Sequence, residues 1–223
     1  MQIGDRRIDT TSCSDAVHRV MRWAERGESR YVCCATARSV MESFESPAFR
    51  DCMNGADLVT SRGVSLVWAL QQLGVASATR VFGREFVPEV LRAADREGMQ
   101  VGLYGGNPAS LNRDCPGLVG YSFSPPSREL RPEEDQMVVD RINASGVQIL
   151  LVCLGSPRQE QWIAAHKGRV RAVMIGVAAA FDGASGSASL GFIKARHAWA
   201  GYMKLHSRLA VQLAAQLLTL RLS

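Results

Sequence analysis

The chain has 223 residues, of which 47% are hydrophobic and 21% are charged, and these proportions exclude a disordered or fibrous protein. This length is enough for one sizeable α/β core, and no shift in composition marks a boundary inside it. The 26 Lys and Arg residues exceed the 21 Asp and Glu residues, and the resulting charge of +5 fits anionic partners about as well as an ordinary basic surface.

Helices and strands are predicted to alternate along the first half of the chain. Polar residues precede a stretch in which Ala16, Val20 and Trp23 recur at helical spacing, and Gly27 ends that pattern. The β-prone run over residues 30–35 is typical of a buried strand. The predicted elements in order are a helix over 15–26, a strand over 30–35, a helix ending at 44, a helix from 47, a strand over 56–60 and a helix over 64–73.

The second half continues the same alternation. Residues 147–154 are apolar on both faces, as expected of a central parallel strand that helices cover on both sides. The stretch between Pro108 and Pro116 is too short for a full helix, so one trimmed crossover is predicted. The other predicted elements are a helix over 87–97, a strand over 100–104, a strand over 118–121, a helix from 132, a helix from 157 to 166 and a strand over 172–177.

This order of elements predicts an α/β fold with a Rossmann-like, mostly parallel sheet flanked by helices. Residues 1–190 are expected to form this domain, and residues 191–223 a C-terminal helical appendage. The leucines of a predicted helix over 203–220 form one stripe, which consists of Leu205, Leu209, Leu213 and Leu217. Two interpretations of this helix stay open: it packs on its own domain or on a partner subunit, or it lies on an anionic membrane surface.

Several kinds of site and partner are not expected. The six cysteines form no CxxC pair, and Cys33, Cys34 and Cys153 lie in strand-like runs, which indicates reduced thiols in a cytosolic protein. The four histidines lack ligand-like spacing, so neither a metal nor a cofactor is expected. The sequence contains no run of five or more basic residues, so nucleic-acid binding is not expected. Without a signal-peptide core or about 18 consecutive apolar residues, the protein is expected to be cytoplasmic, soluble or peripheral at the inner membrane face.

Two glycine turns follow predicted strands at the edge where a parallel sheet binds its ligands. Gly105 and Gly106 follow one strand, and Gly155 follows another. Glycine lets backbone N–H groups approach a phosphate at the start of a helix, but glycine is also common in turns that bind nothing. On the evidence of these turns alone, a phosphate-binding site and a simple tight turn are equally good interpretations.

The stretch LGSPRQEQW at residues 154–162 is more specific. Pro157 marks the start of a helix, and Gln159 and Glu160 place an amide and a carboxylate where they could bind sugar hydroxyls. An ordinary helix start with an acid near its positive end explains the same residues. Asp182 follows the apolar stretch IGVAAAF and is either a further site residue or a turn residue.

Together, LGSPRQEQW and IGVAAAFD resemble motifs of the WecG/TagA/CpsF family of glycosyltransferases. Upstream blocks resemble that family in the same order: YVCCATARSVME, ADLVTSRGVSLVWALQQLG, RVFGREF and VGLYGGNP. The resemblance extends from about residue 8 to residue 182. It implies an inverting, metal-independent hexosyltransferase of cell-surface polysaccharide synthesis, which acts at the cytoplasmic membrane face. Its donor would be the UDP-sugar of an N-acetylmannosamine-type or related sugar, and its acceptor would be linked to polyprenyl diphosphate.

The resemblance also implies which residues line the substrate site. The expected substrate-binding residues are Cys34, Thr36, Gly105, Gly106, Gly155, Pro157, Gln159, Glu160 and Asp182. The family's catalytic base, an aspartate, aligns with Arg62, and a guanidinium cannot accept a proton near neutral pH. Asp57 and Glu85 are the nearest acids by motif position and are candidate substitutes. The family's tail supplies arginines to its site, and Arg196 and Arg208 are the corresponding candidates.

Two classes of function follow from these residues. The first is an active glycosyltransferase that uses a substitute base. The second is a non-catalytic nucleotide-sugar-binding homologue or assembly subunit, which keeps the donor pocket and has lost the base at Arg62. A homo-oligomer is compatible with both classes. A nicotinamide-dependent oxidoreductase is disfavoured, because neither glycine turn has the G-x-G-x-x-G pattern that such enzymes use.

Overall fold

The computed structural model describes residues 2–3, 6–62, 66–68, 71, 85–115 and 117–177. The strands are β1 (Gln2–Ile3), β2 (Arg6–Arg7), β3 (Arg30–Ala35), β4 (Leu58–Ser61), β5 (Val101–Gly105), β6 (Val119–Phe123), β7 (Ile149–Cys153) and β8 (Val173–Gly176). The helices are α1 (Cys13–Glu25), α2 (Ala37–Glu45), α3 (Pro47–Asn54), α4 (Phe86–Arg96), α5 (Pro108–Asp114), α6 (Pro132–Ala144) and α7 (Arg158–His166).

Six of the strands form one parallel sheet, in the order β4-β3-β8-β7-β5-β6. Every residue of β7 is buried, because helices cover both faces of the sheet. Residues that follow the parallel strands lie along one edge, termed the carboxyl edge, and residues that precede the strands lie along the opposite amino edge. The prediction of an α/β fold with a Rossmann-like sheet is confirmed, and the described sheet is parallel throughout.

The helices pack in two layers, one on each face of the sheet. On the first face, α2, α3, α6 and α7 contribute to an apolar cluster that includes Phe49 and Ile163. On the second face, α1, α4 and α5 contribute to another cluster that includes Val20 and Leu111. Burial of apolar surface stabilises each layer by roughly 25 cal/mol for each Å² removed from water. The two layers thereby hold the strand ends at fixed positions.

Several helix ends lie where the sequence predicts them. The Ser12 hydroxyl accepts a hydrogen bond from the amide of Asp15 and caps α1, and Ser46 caps α3 in the same way. Gly27 follows α1 with φ of 62°, and Gly98 follows α4 with φ of 65°. Glycine adopts this left-handed conformation without steric cost, which explains why both helices end at these residues.

Three features differ from the sequence predictions or lie beyond them. β1 and β2 form an antiparallel hairpin, which the sequence pattern does not reveal because two-residue strands carry no periodicity. The trimmed crossover after β5 is α5, a helix of seven residues. Most of the helix predicted over 64–73 and the whole appendage over 191–223 lie outside the described residues.

Candidate functional site at the carboxyl edge

A crevice lies at the carboxyl edge between β5 and β7. The two strands are neighbours, and Gly105 pairs with Cys153 at their ends. The chain after β5 enters α5 on the second face, whereas the chain after β7 enters α7 on the first face. Neighbouring strands whose connections leave on opposite faces form the switch point at which open α/β sheets bind their ligands. The topology therefore selects this crevice as the candidate site.

Glycines lie on both sides of the crevice. Gly105 has φ of 82°, and a Cβ atom built there would lie 2.5 Å from the carbonyl oxygen of Cys153, so only glycine fits. Gly106 and Gly155 also have positive φ angles, of 70° and 74°. The fold thus brings together the three glycines that the sequence singles out. Their contact with a phosphate stays a prediction.

A pocket of about 270 Å³ lies beside the crevice on the first face. Its walls come from the ends of β5 and β7, the first turns of α6 and α7, and the loop after β6. The residues that line it are Tyr104, Pro125, Arg128, Glu129, Leu130, Asp135, Leu154, Arg158, Gln161 and Trp162. The pocket combines an aromatic wall with charged groups at its rim, a combination typical of sites that hold a ring and an anion.

Stacked rings form the aromatic wall. The ring centroids of Phe123 and Tyr104 lie 5.9 Å apart, those of Tyr104 and Trp162 4.2 Å, and those of Trp162 and His166 3.9 Å. The His166 ring is fixed at both nitrogens, because Nδ1 lies 2.6 Å from the carbonyl oxygen of Trp162 and Nε2 lies 2.9 Å from Asp135. Burial raises the pKa of Tyr104 to about 12, so its hydroxyl keeps its proton at neutral pH. Both faces of the Trp162 ring are covered by Tyr104 and His166, so the wall presents ring edges rather than open ring faces to a ligand.

Gln159 and Glu160 lie beneath the loop that follows β7. Gln159 is 2% exposed, and its Nε2 would lie 2.5 Å from a Cβ atom built at Gly176, so its side chain covers the end of β8. Nε2 of Gln159 also donates to Oε1 of Glu160 at 3.2 Å. Glu160 is 4% exposed, and its Oε2 has no hydrogen-bond partner in the described part of the protein. The amide and the carboxylate that the sequence assigns to sugar hydroxyls are therefore buried.

The surroundings of Glu160 favour its neutral form. Burial is the largest influence and raises the pKa of its carboxyl group above the ordinary value. Hydrogen bonds from its own amide, from the Ser156 hydroxyl and from Gln159 act in the opposite direction. A buried acid with an unbonded oxygen reduces stability, and perturbed acids of this kind concentrate at functional sites.

Cys34, Thr36 and Arg62 lie at the carboxyl edge beyond β8. The Thr36 hydroxyl accepts from the amide of Ser39 at 3.0 Å and caps α2, so one of its lone pairs is already committed. The Arg62 amide donates to the carbonyl oxygen of Ala35 at 2.7 Å, which fixes its backbone beside β3. Burial raises the pKa of the Cys34 thiol, and the charge and hydrogen bond of the exposed Arg62 guanidinium oppose that rise. The structure thus brings a thiol and a cation together where the sequence expects substrate.

Asp57 lies at the opposite edge of the sheet from this site. It precedes β4, and its Oδ1 lies 2.8 Å from Nη1 of Arg30. Its Oδ2 accepts from the amide of Tyr31 at 2.9 Å and lies 3.0 Å from Nζ of Lys167. Burial acts to raise the pKa of Asp57, but these partners together lower it. The choice of Asp57 as a substitute base is therefore corrected, because a residue at the start of a strand cannot reach the site at its end.

Glu85 is also kept away from the crevice. It precedes α4 on the second face and is exposed in a groove between α1 and α4, together with His18 and Glu89. The pocket beside the crevice lies on the first face, so the sheet separates the two. Asp182, Arg196 and Arg208 lie outside the described residues.

Two pocket residues, Tyr104 and Arg158, carry no motif signal that singles them out. Tyr104 is the last large side chain before a glycine turn, and Arg158 is the first residue of α7. The ends of a strand and of a helix at the carboxyl edge are the signal that could identify such residues, because that edge is where ligands bind.

The described segments also limit the kinds of site that this part of the chain contains. In them, no cluster of three or more His, Cys, Asp and Glu side chains could hold a metal ion. None of their helices has both the length and the apolar character to cross a membrane. None of the six cysteines forms a disulfide with another, and Cys33, Cys34 and Cys153 are buried as predicted.

Comparison with known proteins adds an independent line of evidence. The model of the glycosyl transferase WecG/TagA/CpsF family matches residues 1–191. The N-acetylglucosaminyldiphosphoundecaprenol N-acetyl-beta-D-mannosaminyltransferase of Bacillus spizizenii is 25% identical over 192 residues, which cover 81% of this chain and 72% of the relative. The family match includes both loops of the crevice and every residue that lines the adjoining pocket.

Proposed function

This chain belongs to the glycosyl transferase WecG/TagA/CpsF family, and on that premise we propose that it transfers an N-acetylmannosamine-type or related sugar from a UDP-sugar to a polyprenyl-diphosphate-linked acceptor. The relative from Bacillus spizizenii is named for the transfer of N-acetylmannosamine to a sugar carried on diphosphoundecaprenol, which supports this donor and acceptor. The product serves cell-surface polysaccharide synthesis.

The crevice between β5 and β7 is the observation that carries this proposal. The nine-residue helix α7 begins beside it, so the positive end of its dipole and the amide groups around Gly155 favour the diphosphate of UDP. The adjoining pocket has room for the uracil ring against the edges of Tyr104 and Trp162. Arg158 lines the same pocket and supplies a cation next to the diphosphate.

The proposed reaction is an inverting transfer that needs no metal ion. The acceptor hydroxyl loses its proton as its oxygen attacks the anomeric carbon, and UDP departs from the opposite side. The negative charge that develops on the diphosphate is stabilised by backbone N–H groups and by Arg158, which are in place before the reaction begins. Backbone N–H groups of the glycine turns suit this role, because donors that already face the diphosphate need no rearrangement as the bond breaks.

Binding of UDP is the first test. UDP at millimolar concentration, without added metal, is expected to raise the melting temperature, because a ligand that binds the native state stabilises it. Gly155→Ala is expected to reduce this shift, since it alters the crevice, where a methyl group meets no protein atom within 4 Å. Gly27→Ala, in equally open space at the amino edge, serves as the control for the cost of alanine at positive φ. An unchanged melting temperature with UDP would remove the basis of the proposed donor site.

A second candidate function is a non-catalytic subunit that binds nucleotide sugars. Arg62 favours it, because its exposed guanidinium stands at the carboxyl edge where the family resemblance expects the base. The two candidates differ in turnover with UDP-N-acetylmannosamine and a lipid-linked acceptor. Binding of UDP without turnover, together with activity gained by Arg62→Asp, would establish the non-catalytic function.

The proposed acceptor places the protein at the cytoplasmic face of the membrane. The predicted helix over 203–220 supplies an apolar stripe beside Lys204 and Arg208, which suits an anionic bilayer surface. Sedimentation with vesicles of anionic lipid tests this placement, and vesicles of neutral lipid are the control. If the helix instead joins subunits, the chain with all 223 residues will form oligomers that Leu209→Asp and Leu213→Asp dissociate.

A further inference from the structure

Both ring nitrogens of His166 face oxygen atoms that accept hydrogen bonds. Nδ1 lies 2.6 Å from the carbonyl oxygen of Trp162, and Nε2 lies 2.9 Å from Oδ1 of Asp135. A neutral imidazole carries one N–H and can donate one of these bonds, whereas an imidazolium donates both. A nitrogen without a proton would turn its lone pair towards an oxygen at hydrogen-bond distance. The geometry therefore fits a ring that carries a proton on each nitrogen and is a cation.

A second cation holds the acid beside His166 as a carboxylate. Nη2 of Arg169 lies 2.9 Å from Oδ2 of Asp135, so each oxygen of Asp135 has a donor of its own. A carboxylate that accepts from a guanidinium is favoured in its charged form, which leaves the proton on the ring. His166 is also the last residue of α7, where the negative end of the helix dipole favours a cation. The ring is 4% exposed, and a charge buried to this extent is stable only because it is paired.

The other titratable side chains on the elements around His166 are paired elsewhere or keep their protons. Lys167, the next residue, is bonded to Asp57 at the amino edge. Tyr31 and Cys33 of β3 belong to the apolar cluster beneath α7, and burial raises the pKa of both above the ordinary values. The charged side chains of α3 pair with each other, and they are Arg50 and Asp51.

The cation supports the aromatic wall of the pocket. The His166 ring stacks on Trp162 with centroids 3.9 Å apart and planes 18° apart, and a cation at this distance is attracted to the face of an indole. Trp162 stacks in turn on Tyr104, with centroids 4.2 Å apart. Trp162, Tyr104 and Asp135 all line the pocket. One buried side chain therefore holds three of the side chains that a ligand would meet.

We propose that His166 is a positioning residue of the nucleotide pocket that acts only in its doubly protonated form, an inference that rests on the proposed function. The pocket binds the UDP-sugar while both ring nitrogens carry protons, and it loses affinity when one proton leaves. His166 is buried and acts through Trp162 and Asp135. Binding of the donor is thereby sensitive to pH.

Loss of one proton changes the pocket in two ways. A lone pair then faces either the carbonyl oxygen of Trp162 or the carboxylate of Asp135, and the repulsion displaces the ring that supports the wall. The charge also changes, because His166, Asp135 and Arg169 together carry one positive charge with an imidazolium and none with a neutral ring. A less positive pocket attracts a diphosphate more weakly. Both effects lower the affinity as the pH rises.

The first experiment measures the affinity of the full-length protein for UDP-N-acetylmannosamine by isothermal titration from about pH 5.5 to about pH 8.5, the range in which a histidine changes its charge. The diphosphate of this donor is esterified at both ends, so its own charge stays constant. Once the free protein loses the proton, the affinity should fall by about tenfold for each further pH unit. His166→Gln should bind more weakly at low pH and should lack this fall.

The other histidines provide matched controls. His18 is exposed on the second face, in the groove between α1 and α4. His197 and His206 lie outside the described residues. Replacing each of the three by glutamine should leave the fall in affinity with pH as it is in wild type.

Asp135→Asn distinguishes the role of the proton from a purely structural role. An amide can donate to Nε2 and offer its oxygen to Arg169, so a neutral His166 with its proton on Nδ1 fits both of its bonds. We expect the fall in affinity with pH to disappear in this variant. A structural role of the acid predicts instead that the fall persists or that affinity is lost at every pH, and either result contradicts the proposal.

NMR of the wild-type protein with isotope-labelled histidine reads the protonation of the ring directly. Both ring nitrogens of His166 should carry protons at about pH 6, and addition of UDP-N-acetylmannosamine should extend this state to higher pH, because a ligand that prefers one form stabilises it. This measurement does not depend on whether His166→Gln folds.

The outcomes separate this inference from the proposed function. Constant affinity of the wild type across the pH range, or a fall that persists in His166→Gln, overturns the role of His166 and leaves the proposed function intact. A single protonated ring nitrogen at the acid end of the range overturns that role as well. Absence of binding at every pH overturns the proposed function together with the inference.

Discussion

The two edges of the sheet differ in how completely their buried acids are bonded. At the amino edge, Asp57 is bonded to Arg30, to Lys167 and to the amide of Tyr31. At the carboxyl edge, Glu160 is buried, and one of its oxygens has no partner among the residues that the structure describes. Bonded charges of the first kind hold a fold together, whereas incompletely bonded polar groups reduce its stability and are retained for binding or chemistry. The contrast indicates that the amino edge serves the fold and the carboxyl edge serves the ligand.

The largest expected difference between the two edges is the loss of stability when alanine replaces a glycine. Gly105→Ala puts a Cβ atom 2.5 Å from the Cys153 carbonyl oxygen at a φ of 82°, and we expect the free energy of unfolding to fall by about 3–5 kcal/mol. Gly98→Ala at the amino edge meets no atom within 4 Å, so only the strained φ contributes, about 1–2 kcal/mol. Denaturation by urea measures both changes. Equal losses would show that the strand ends are not tightly apposed at the crevice.

Removing one charge tests the network of ion pairs around Asp57 at the amino edge. Asp57→Asn should reduce the free energy of unfolding at pH 7 by about 1–3 kcal/mol, because it weakens the bonds to Arg30 and Lys167. The pKa of Asp57 is lower in the folded protein than its ordinary value of 3.8, so its contribution is present above that pH and is lost as the pH falls through the folded pKa. Thermal melts should therefore show the difference from wild type shrinking below about pH 4. A difference that stays constant in acid would contradict the assignment.

Removing a cation tests whether the carboxyl edge binds an anionic ligand. Arg158→Ala should weaken UDP binding about tenfold, or about 1.4 kcal/mol, and should make the remaining affinity less sensitive to salt. The matched control is Arg92→Ala, an exposed arginine of α4 on the second face, which should leave UDP affinity unchanged. Isothermal titration at two salt concentrations measures both variants. Equal affinities of the two variants for UDP would place the diphosphate away from Arg158.

The smallest expected effect is a gain in stability, whereas the other substitutions weaken stability or binding. Glu160→Gln should raise the free energy of unfolding at pH 7 by about 1 kcal/mol, which corresponds to about 2–4 °C in melting temperature. Burial raises the pKa of Glu160 above its ordinary value of 4.5, so stability from this group is present below that pH and is lost as the pH rises through the folded pKa. The gain should therefore disappear at pH 4. A loss of stability at pH 7 would place Glu160 with the structural charges of the amino edge.

Much of the fold follows from local sequence signals. The strand predicted over 30–35 has the bounds of β3, because its apolar run is bounded by polar residues on both sides. The strand predicted over 147–154 is shorter in the structure, since β7 ends where its ladder with β5 and β8 ends. The limits of a ladder depend on neighbouring strands, which a single run of residues does not encode.

The candidate site was only partly accessible to the same reasoning. The glycines at 105, 106 and 155 could be predicted, because turn chemistry is tied to the ends of strands. Motif position alone points to Asp57, whereas strand direction excludes it, because a residue that precedes β4 lies at the amino edge. The burial of Glu160 could not be predicted, because it depends on how α7 packs against β8 and β3.

The stacked rings provide the protein with an intrinsic fluorescence probe. Trp162 lies between Tyr104 and His166 on the pocket wall, so a ligand that enters the pocket changes the surroundings of its indole and with them its fluorescence. The chain has four tryptophans, and replacing Trp23, Trp68 and Trp199 by phenylalanine leaves this one as the single emitter. Rapid mixing could then time the arrival of a nucleotide without a dye, and would separate the speed of entry from the speed of chemistry.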